Sequence, residues 1–196
     1  MEALIGDVHG LAVLDLGCGA GVLMRTLVEG GASRVVGIER DAEIAEFART
    51  NLAPGAQIVE ADAELSFPAA WDGTFDVVVA SLVLHYFPRW DAVLDNVRRA
   101  LRGRGRLLFS VNHPGDASDG ELCGVPVSEY WPTLDITVTT YRWTFRGMRD
   151  VLARCGFDVE QVVEPVPLAE MRESAPSVFD DLTQHPAFVL VGARKR

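Results

Sequence analysis

Nine residues near the start of the chain constrain the fold more than any others: Val13-Leu14-Asp15-Leu16-Gly17-Cys18-Gly19-Ala20-Gly21. They begin as an apolar strand that contains an acid, and they continue through glycines at every second position. Glycine is favoured where the backbone must take positive φ or approach a ligand closely. A helix that starts directly after such a turn presents free N–H groups and a partial positive charge to the bend. The segment therefore predicts a nucleotide site on a doubly wound sheet.

Strand and helix signals alternate from Leu11 to Val111, which predicts a parallel sheet with helices on both faces. The expected strands are 11–16, 34–38, 57–60, 75–80 and 106–111, and the expected helices are 22–29, 41 to the break at Pro54-Gly55, and 91–101, which Gly103 stops. On the second helix we expect Ile44, Phe47 and Ala48 to face the core.

The C-terminal third of the sequence has a different character. Residues 113–131 are typical of a loop, and residues 136–143 are β-branched and aromatic and predict a strand. Thr144 is suited to cap a helix that runs through Cys155. Two further strands, 157–163 and 187–191, are expected on either side of a polar loop that contains proline. We find no repeat or linker and interpret residues 1–196 as one α/β domain.

Composition narrows the range of partners and compartments. The net charge of −10 over 196 residues argues against a nucleic acid or an anionic membrane surface as partner. The longest apolar stretch, 77–84, is too short to span a bilayer, and we expect no secretion signal. Three scattered cysteines predict a reduced, cytoplasmic protein without disulfides or a metal site. The one lysine, Lys195, lies outside any position where a lysine-dependent active site would need it.

The ordered set of motifs resembles the class I S-adenosylmethionine-dependent methyltransferases. The matching segments, in order, are Asp15-x-Gly17-x-Gly19-x-Gly21, Glu39 at the end of the second strand, Asp62-Ala63, Phe75–Ala80 followed by Ser81–His85, Leu101–Leu108, Arg154–Phe157, Val163–Pro165 and Phe188–Lys195. The resemblance covers nearly the whole chain. It implies a Rossmann-like three-layer αβα sandwich whose seven-stranded sheet is mostly parallel and has an antiparallel C-terminal strand.

The resemblance also implies a cofactor, S-adenosylmethionine, with S-adenosylhomocysteine as product. A carboxylate at Glu39 offers two oxygens to the two ribose hydroxyls. The implied cofactor-binding residues are Asp15, Gly17, Cys18 and Gly19 for the methionine part, Glu39 and Arg40 for the ribose side, Asp62 and Ala63 for adenine, and Ala80 at the end of the fourth strand. Plainer interpretations stay open: a surface acid at Glu39, a tight turn at the glycines, a loop cap at Asp62 and an exposed arginine at Arg40.

Methyl transfer needs alignment of the reacting atoms above all, and a general base only for a hydroxyl or a protonated amine. The candidates for catalysis are His85, Tyr86, His113 and Tyr141. Each histidine has an alternative, non-catalytic interpretation. His85 would then be a packing residue, and His113 would only shape the turn before Pro114. Tyr141 lies in an insert at about 113–143 that related enzymes use to wall the acceptor pocket, or it is a core aromatic.

The acceptor and the covering of the site are left open by the sequence. No Asp–Asp–Asn set for magnesium is evident, which argues against a catechol-type metal mechanism. The Asn-Pro-Pro-Tyr run of enzymes that methylate nucleobase or glutamine amides is also absent, and together with the acidic charge this favours a small-molecule acceptor methylated on oxygen, nitrogen or carbon. Relatives carry helices before the first strand, whereas Met1–Gly10 is short. We therefore expect an open cofactor pocket, unless another segment or a homodimer partner covers it.

Two other functions remain open at this point. One is a methyltransferase-like protein that binds the cofactor without efficient turnover. The other is a dinucleotide-dependent oxidoreductase, although its G-x-G-x-x-G spacing differs from the glycine spacing found here.

Overall fold

The computed structural model describes residues 1–52, 54–115, 123–133 and 135–196. The strands are β1 Ala12–Leu16, β2 Arg34–Glu39, β3 Ala56–Glu60, β4 Phe75–Ser81, β5 Leu101–Asn112, β6 Val125–Trp131, β7 Ile136–Arg142, β8 Phe157–Val163 and β9 Phe188–Lys195. The helices are α1 Glu2–Ile5, α2 Val22–Glu29, α3 Ala42–Thr50, α4 Asp91–Ala100, α5 Phe145–Arg154, α6 Met171–Ser174 and α7 Pro176–Gln184, and short 3₁₀ turns lie at Ala69–Trp71 and Leu84–Tyr86.

Seven strands form one sheet in the order β3-β2-β1-β4-β5-β9-β8. Strands β1 to β5 run parallel to one another, and β9 runs antiparallel to both β5 and β8. This topology confirms the predicted Rossmann-like α/β fold with its antiparallel C-terminal strand. The strand order reverses between β1 and β4, and in such sheets a crevice opens outside the carboxyl ends of the strands at this point.

Apolar side chains cover both faces of the sheet and produce the three layers. On β1, Leu14 and Leu16 belong to the cluster that also holds the buried residues of α4 and α5, whereas Val13 belongs to the cluster of α1, α2 and α3. Strands buried on both faces read as continuous apolar runs, which is why β1 and β4 were visible in the sequence.

The core-facing side of α3 differs from the expectation. Ala45 and Ala48 are fully buried, whereas the side chains of Ile44 and Phe47 are 43% and 59% exposed. Small alanine side chains let the helix lie close to the sheet, so the buried stripe is rotated by about one residue from the predicted one. The prediction for Ala48 is confirmed, and the predictions for Ile44 and Phe47 are wrong.

Two segments assigned to loops contain regular structure. Part of 113–131 is β6, which pairs with β7 in a two-stranded sheet of its own. Every residue of β6 is exposed, so the segment lacks the apolar run that marks a buried strand. The segment between β8 and β9 contains α6 and α7, and α7 starts with Pro176, which is tolerated in a first helical turn.

Smaller differences concern the ends of elements. Helix α4 ends at Ala100, so Leu101 begins β5, and Gly103 lies within that strand rather than stopping the helix. The last strand extends to Lys195 instead of ending at residue 191. Within the described residues, none of the helices is long and apolar enough to cross a membrane.

Candidate functional site

The glycine turn lies at the carboxyl edge of the sheet, between the end of β1 and the start of α2. Gly17 has φ of +68°, a conformation that L side chains rarely adopt. A Cβ atom at Gly17 would lie 2.5 Å from Cγ2 of Val83, which follows β4. A side chain at this position would therefore be both strained and in collision.

Glu39 ends β2 beside this turn, because β1 and β2 pair in register up to Leu16 and Ile38. Its Oε2 accepts a hydrogen bond from the Gly19 N–H at 3.0 Å, and its Oε1 accepts one from the Asp41 N–H at 3.0 Å. Both carboxylate oxygens are thus fixed by the backbone. A carboxylate has about four acceptor positions, so two remain for ligand hydroxyls.

Asp15 is the buried acid of β1, with 2% of its surface exposed. Its Oδ2 has no hydrogen-bond partner. Burial, and then the negative charge of Glu39, raise the pKa of Asp15 to about 7. A buried acceptor without a donor is costly, so this oxygen suits a ligand ammonium or a bound water.

A cleft of about 300 Å³ opens beside the turn. Of the predicted cofactor residues, Gly17, Glu39, Arg40, Asp62 and Ala63 line it. Asp15 and Gly19 belong to the strand end and turn beside the cleft, and both interact with Glu39 on its wall. The Gly19 N–H donates to Glu39, and the charge of Glu39 raises the pKa of Asp15. The structure thus brings most of the predicted cofactor residues together at one edge of the sheet.

Three predicted cofactor residues have features that a direct contact with the cofactor does not explain. Asp62 Oδ1 accepts a hydrogen bond from the Glu64 N–H at 2.9 Å, as a loop cap would. The Cys18 thiol is 8% exposed, and burial, Asp15 and Glu39 raise its pKa to about 12, so it stays protonated. Ala80 is fully buried within β4 and is absent from the cleft wall.

Sequence reasoning missed the apolar part of the cleft. Its wall includes Ile44, Leu82, Val83, Tyr86 and Phe87. Four of these follow the carboxyl end of β4, where ligands bind in sheets of this kind. That position was the available signal, whereas the exposure of Ile44 depends on the rotation of α3.

Leu82, directly after β4, has a left-handed backbone with φ of +53°. Its N–H donates to the carbonyl oxygen of Ser110 at 3.0 Å and to Ser110 Oγ at 3.1 Å. A leucine in this region of φ is uncommon and is found where the surroundings enforce it. Ser110 of β5 supplies that enforcement beside the cleft.

A second cavity, of about 170 Å³, is lined by three of the four candidates for catalysis, His85, His113 and Tyr141. The fourth candidate, Tyr86, lines the cofactor cleft instead. His85 comes from the 3₁₀ turn after β4, His113 follows β5, and Tyr141 lies on β7. These residues are far apart in the sequence, and the fold gathers them around one space.

Both ring nitrogens of His113 have partners. Nδ1 accepts a hydrogen bond from the Gly115 N–H at 2.9 Å, and Nε2 lies 3.2 Å from Glu164 Oε1. The ring also meets Phe145 edge-on, with centroids 5.4 Å apart. With Nδ1 as acceptor, the proton of the neutral ring is on Nε2 and is donated to the carboxylate. The turn-shaping role that was left open for His113 is therefore present.

His85 is 5% exposed, and its Nδ1 has no hydrogen-bond partner. Burial lowers its pKa to about 4, so the imidazole is neutral near pH 7. Trp143, on the same cavity wall, is 9% exposed and its indole Nε1 also lacks a partner. The sequence placed Trp143 only in the expected strand 136–143 and indicated no polar role for its indole.

Within the described ranges, no three His, Cys, Asp or Glu side chains are grouped so that they could hold a metal ion.

Comparison with known proteins points to one family. Residues 14–109 match a family model described as a methyltransferase domain. A solved S-adenosylmethionine-dependent methyltransferase from Mesorhizobium loti is 27% identical, with 98% of this chain and 94% of that chain covered and a TM-score of 0.79. A structure described as a putative S-adenosylmethionine-dependent methyltransferase from Listeria monocytogenes is 25% identical, covers 99% and 94%, and has a TM-score of 0.82. An uncharacterized protein of Haemophilus influenzae is 26% identical over an alignment that covers 100% of this chain and 85% of its own length.

Proposed function

We propose that this chain, which belongs to the class I S-adenosylmethionine-dependent methyltransferases, transfers the methyl group to a small molecule held in the second cavity. One observation carries the proposal. The turn after β4 contributes Leu82 and Val83 to the cofactor cleft and His85 to the second cavity, so a single short segment separates the two spaces.

The cleft residues fit S-adenosylmethionine by their chemistry. Glu39 would accept both ribose hydroxyls with the acceptor positions that the backbone leaves free. The unpartnered Asp15 Oδ2 would accept from the amino group of the methionine part, directly or through water. Asp62 and the Ala63 N–H would pair with the adenine edge, and Arg40 would lie along it.

Two predicted cofactor residues would act without a direct polar contact. Both Cys18 and Ala80 are buried. Their small side chains would fill space behind the cleft and let the backbone lie close to the cofactor. Held in this cleft, S-adenosylmethionine would supply a methyl group activated by a cationic sulfur, and that sulfur would leave as S-adenosylhomocysteine when the methyl carbon passes to the acceptor. The protein's main task is then to hold donor and acceptor in line, which contributes roughly 7–11 kcal/mol to lowering a barrier of this kind.

The proton released by a hydroxyl acceptor needs a destination, and His113 is the best placed of the candidates. Glu164 holds its Nε2, so Nδ1 is the nitrogen that would take a proton after giving up the Gly115 N–H. A base oriented by a carboxylate is a recurring catalytic arrangement. The lowered pKa of His85 makes that ring a weaker base. Tyr141 would position the acceptor.

The small-molecule class of the acceptor is supported by charge and by size. A net charge of −10 disfavours nucleic acid, and a cavity of about 170 Å³ is small even for drug-sized ligands. Cytoplasmic location, a single domain over residues 1–196 with an insert at about 113–143, and a homodimer that covers the N-terminal side stay predictions.

Calorimetry with S-adenosylmethionine, followed by release of S-adenosylhomocysteine in the presence of a panel of small acceptors, tests the proposal. Binding and turnover are expected for the unmodified chain, and both should be strongly weakened in Glu39→Gln. Tight binding without turnover over a broad panel would favour a cofactor-binding protein. Absence of cofactor binding would overturn the proposal.

A further inference from the structure

The segment that separates the cofactor cleft from the second cavity is held at three points. Val83 lies against the glycine turn that follows β1. The carbonyl oxygen of Leu84 accepts a hydrogen bond from the indole Nε1 of Trp90 at 2.9 Å. The third point is Leu82, whose N–H is bound by Ser110 of β5. Of the three segment residues, only Leu82 has a positive φ, which residues with a Cβ atom disfavour.

The left-handed backbone of Leu82 lies directly at the cofactor cleft. Its φ is +53°, and the residue lines the cleft wall. Strained backbone of this kind is found at ligand sites, where the surroundings hold it. Burial of the side chain is a weak restraint here, because Leu82 is 38% exposed. We therefore look for the restraint in the hydrogen bonds of its backbone.

Ser110 accepts the Leu82 N–H twice. Its carbonyl oxygen does so at 3.0 Å and continues the β4–β5 ladder, in which Ser81 pairs with Ser110. Its Oγ accepts the same N–H at 3.1 Å. Any residue at position 110 offers the carbonyl, whereas the second acceptor depends on the serine hydroxyl. Ser110 is 5% exposed, so water has little access to replace that hydroxyl.

We propose that Ser110 is a positioning residue of the methyltransferase: its hydroxyl keeps Leu82 left-handed and thereby holds the cleft wall where the cofactor binds. Ser110 acts through Leu82, because it is not among the described residues that line the cleft or the second cavity. This inference rests on the proposed function, since it takes the cleft as the cofactor site.

The size of the effect follows from the population of the left-handed state. A residue with a Cβ atom is disfavoured there by about five- to thirtyfold, and a typical neutral hydrogen bond shifts an equilibrium about fivefold. Without the hydroxyl, the cofactor would bind a less populated conformation of Leu82. The affinity of Ser110→Ala for S-adenosylhomocysteine should therefore fall about three- to tenfold.

Calorimetric titration with S-adenosylhomocysteine in two backgrounds tests whether the backbone of Leu82 carries this effect. Leu82→Ala and Leu82→Gly both remove the leucine side chain from the cleft wall, but only glycine takes positive φ without a steric cost. Ser110→Ala should weaken binding about three- to tenfold in Leu82→Ala and less than about twofold in Leu82→Gly. An equal effect in the two backgrounds, or unchanged affinity in Ser110→Ala alone, would overturn the inference.

A second comparison separates positioning from a general loss of stability. Thr144 has another buried hydroxyl that accepts a backbone N–H, from Gly147 at 3.0 Å, and it does not line the cleft. Thr144→Ala should lower stability in denaturant unfolding and still bind S-adenosylhomocysteine within about twofold of the unmodified chain. The Leu82 amide hydrogen, followed by NMR, should exchange at least about threefold faster in Ser110→Ala and at an unchanged rate in Thr144→Ala. A loss of stability in Ser110→Ala without faster Leu82 exchange or weaker binding would show a purely structural role and refute the inference.

Failure of this inference and failure of the proposed function give different results. If the chain transfers no methyl group to any acceptor of the panel, the expected differences in S-adenosylhomocysteine affinity still appear. If only the inference fails, S-adenosylhomocysteine forms with an acceptor of the panel, and Ser110→Ala binds it as the unmodified chain does.

Discussion

The cofactor cleft and the second cavity lie at the same edge of the sheet and are built in different ways. In the cleft, the main polar side chain is already bonded to the backbone, as Glu39 is to Gly19 and Asp41. In the second cavity, His85 and Trp143 carry ring nitrogens without partners, and one wall comes from a hairpin that forms its own two-stranded sheet. The cleft is thus preorganised by the main sheet, whereas the cavity depends on side chains that can change without altering that sheet.

If this contrast is correct, the largest effect should follow removal of the charge at Glu39. Glu39→Gln loses the charge-assisted bonds to the two ribose hydroxyls, each worth about 1.5–3 kcal/mol, and S-adenosylhomocysteine affinity should fall roughly 10²–10⁴-fold. Calorimetry measures the loss. The matched control is Glu43→Gln on the exposed side of α3, which should bind normally. A loss below about threefold for Glu39→Gln would mean that the cleft does not hold the ribose.

The next effect separates strain from collision in the glycine turn. Gly17→Ala should destabilise the fold by about 2–4 kcal/mol, because a left-handed residue costs about 1–2 kcal/mol and the new Cβ meets Val83. Gly19 has the same kind of backbone, and nothing lies within 4 Å of a Cβ added there. Gly19→Ala should therefore be destabilised by backbone strain alone. Denaturant unfolding measures both.

Adding Val83→Ala to Gly17→Ala should restore the part of the lost stability that comes from the collision with Val83. The part that comes from backbone strain should remain lost. The double-mutant cycle isolates that part. Equal stability of Gly17→Ala and Gly19→Ala would show that Val83 yields easily and that the turn is less rigid than its geometry indicates.

The same contrast explains how far the sequence could predict the molecule. Asp15, the glycines and Glu39 lie in or directly after strands that are buried on both faces, so local patterns located them. Strand β7 of the hairpin was expected, but β6 escaped prediction because it is exposed along its whole length and is defined only by pairing with β7. The unpartnered state of Trp143 Nε1 follows from long-range packing, which no local pattern records. Ile44 shows the same limit, since its role depends on how closely α3 approaches the sheet.

A third effect concerns Asp15 and has a defined sign. Its pKa is about 7 in the fold against 3.8 as the ordinary value, so between these values the folded state binds more protons than the unfolded state. Stability therefore falls as pH rises from about 4 to about 7 and is level above that range. Asp15→Asn should remove this slope, and its stability relative to the unmodified chain should rise by about 2–3 kcal/mol between pH 5 and pH 8.

Thermal and denaturant unfolding at the two pH values measure the change. Cofactor binding adds a second readout. The ionised Asp15 suits an ammonium, so affinity should rise by up to about tenfold per pH unit below pH 7, and Asp15→Asn should abolish the rise. A slope that survives in Asp15→Asn would assign it to another group.

The smallest effect should arise on the cavity side and leave the cleft untouched. Thr144 Oγ1 caps α5 by accepting from the Gly147 N–H at 3.0 Å, and it lies between Trp143 and Phe145, which contact Trp90 and His113. Thr144→Ala should cost about 1 kcal/mol of stability and raise the KM for a small acceptor a few-fold. S-adenosylhomocysteine affinity should not change, because no residue of α5 reaches the cleft wall.

The control for this cap is another threonine in a helix. Thr183 is exposed, and its hydroxyl donates to the Phe179 carbonyl oxygen within α7, so Thr183→Ala should change stability by less than about 0.5 kcal/mol. Thr144→Ser keeps the capping oxygen and should restore both the stability and the KM for the acceptor. If Thr144→Ala weakened binding of the cofactor and of the acceptor equally, the two regions would share one rigid support, and the contrast between a preorganised cleft and an independently variable cavity would fail.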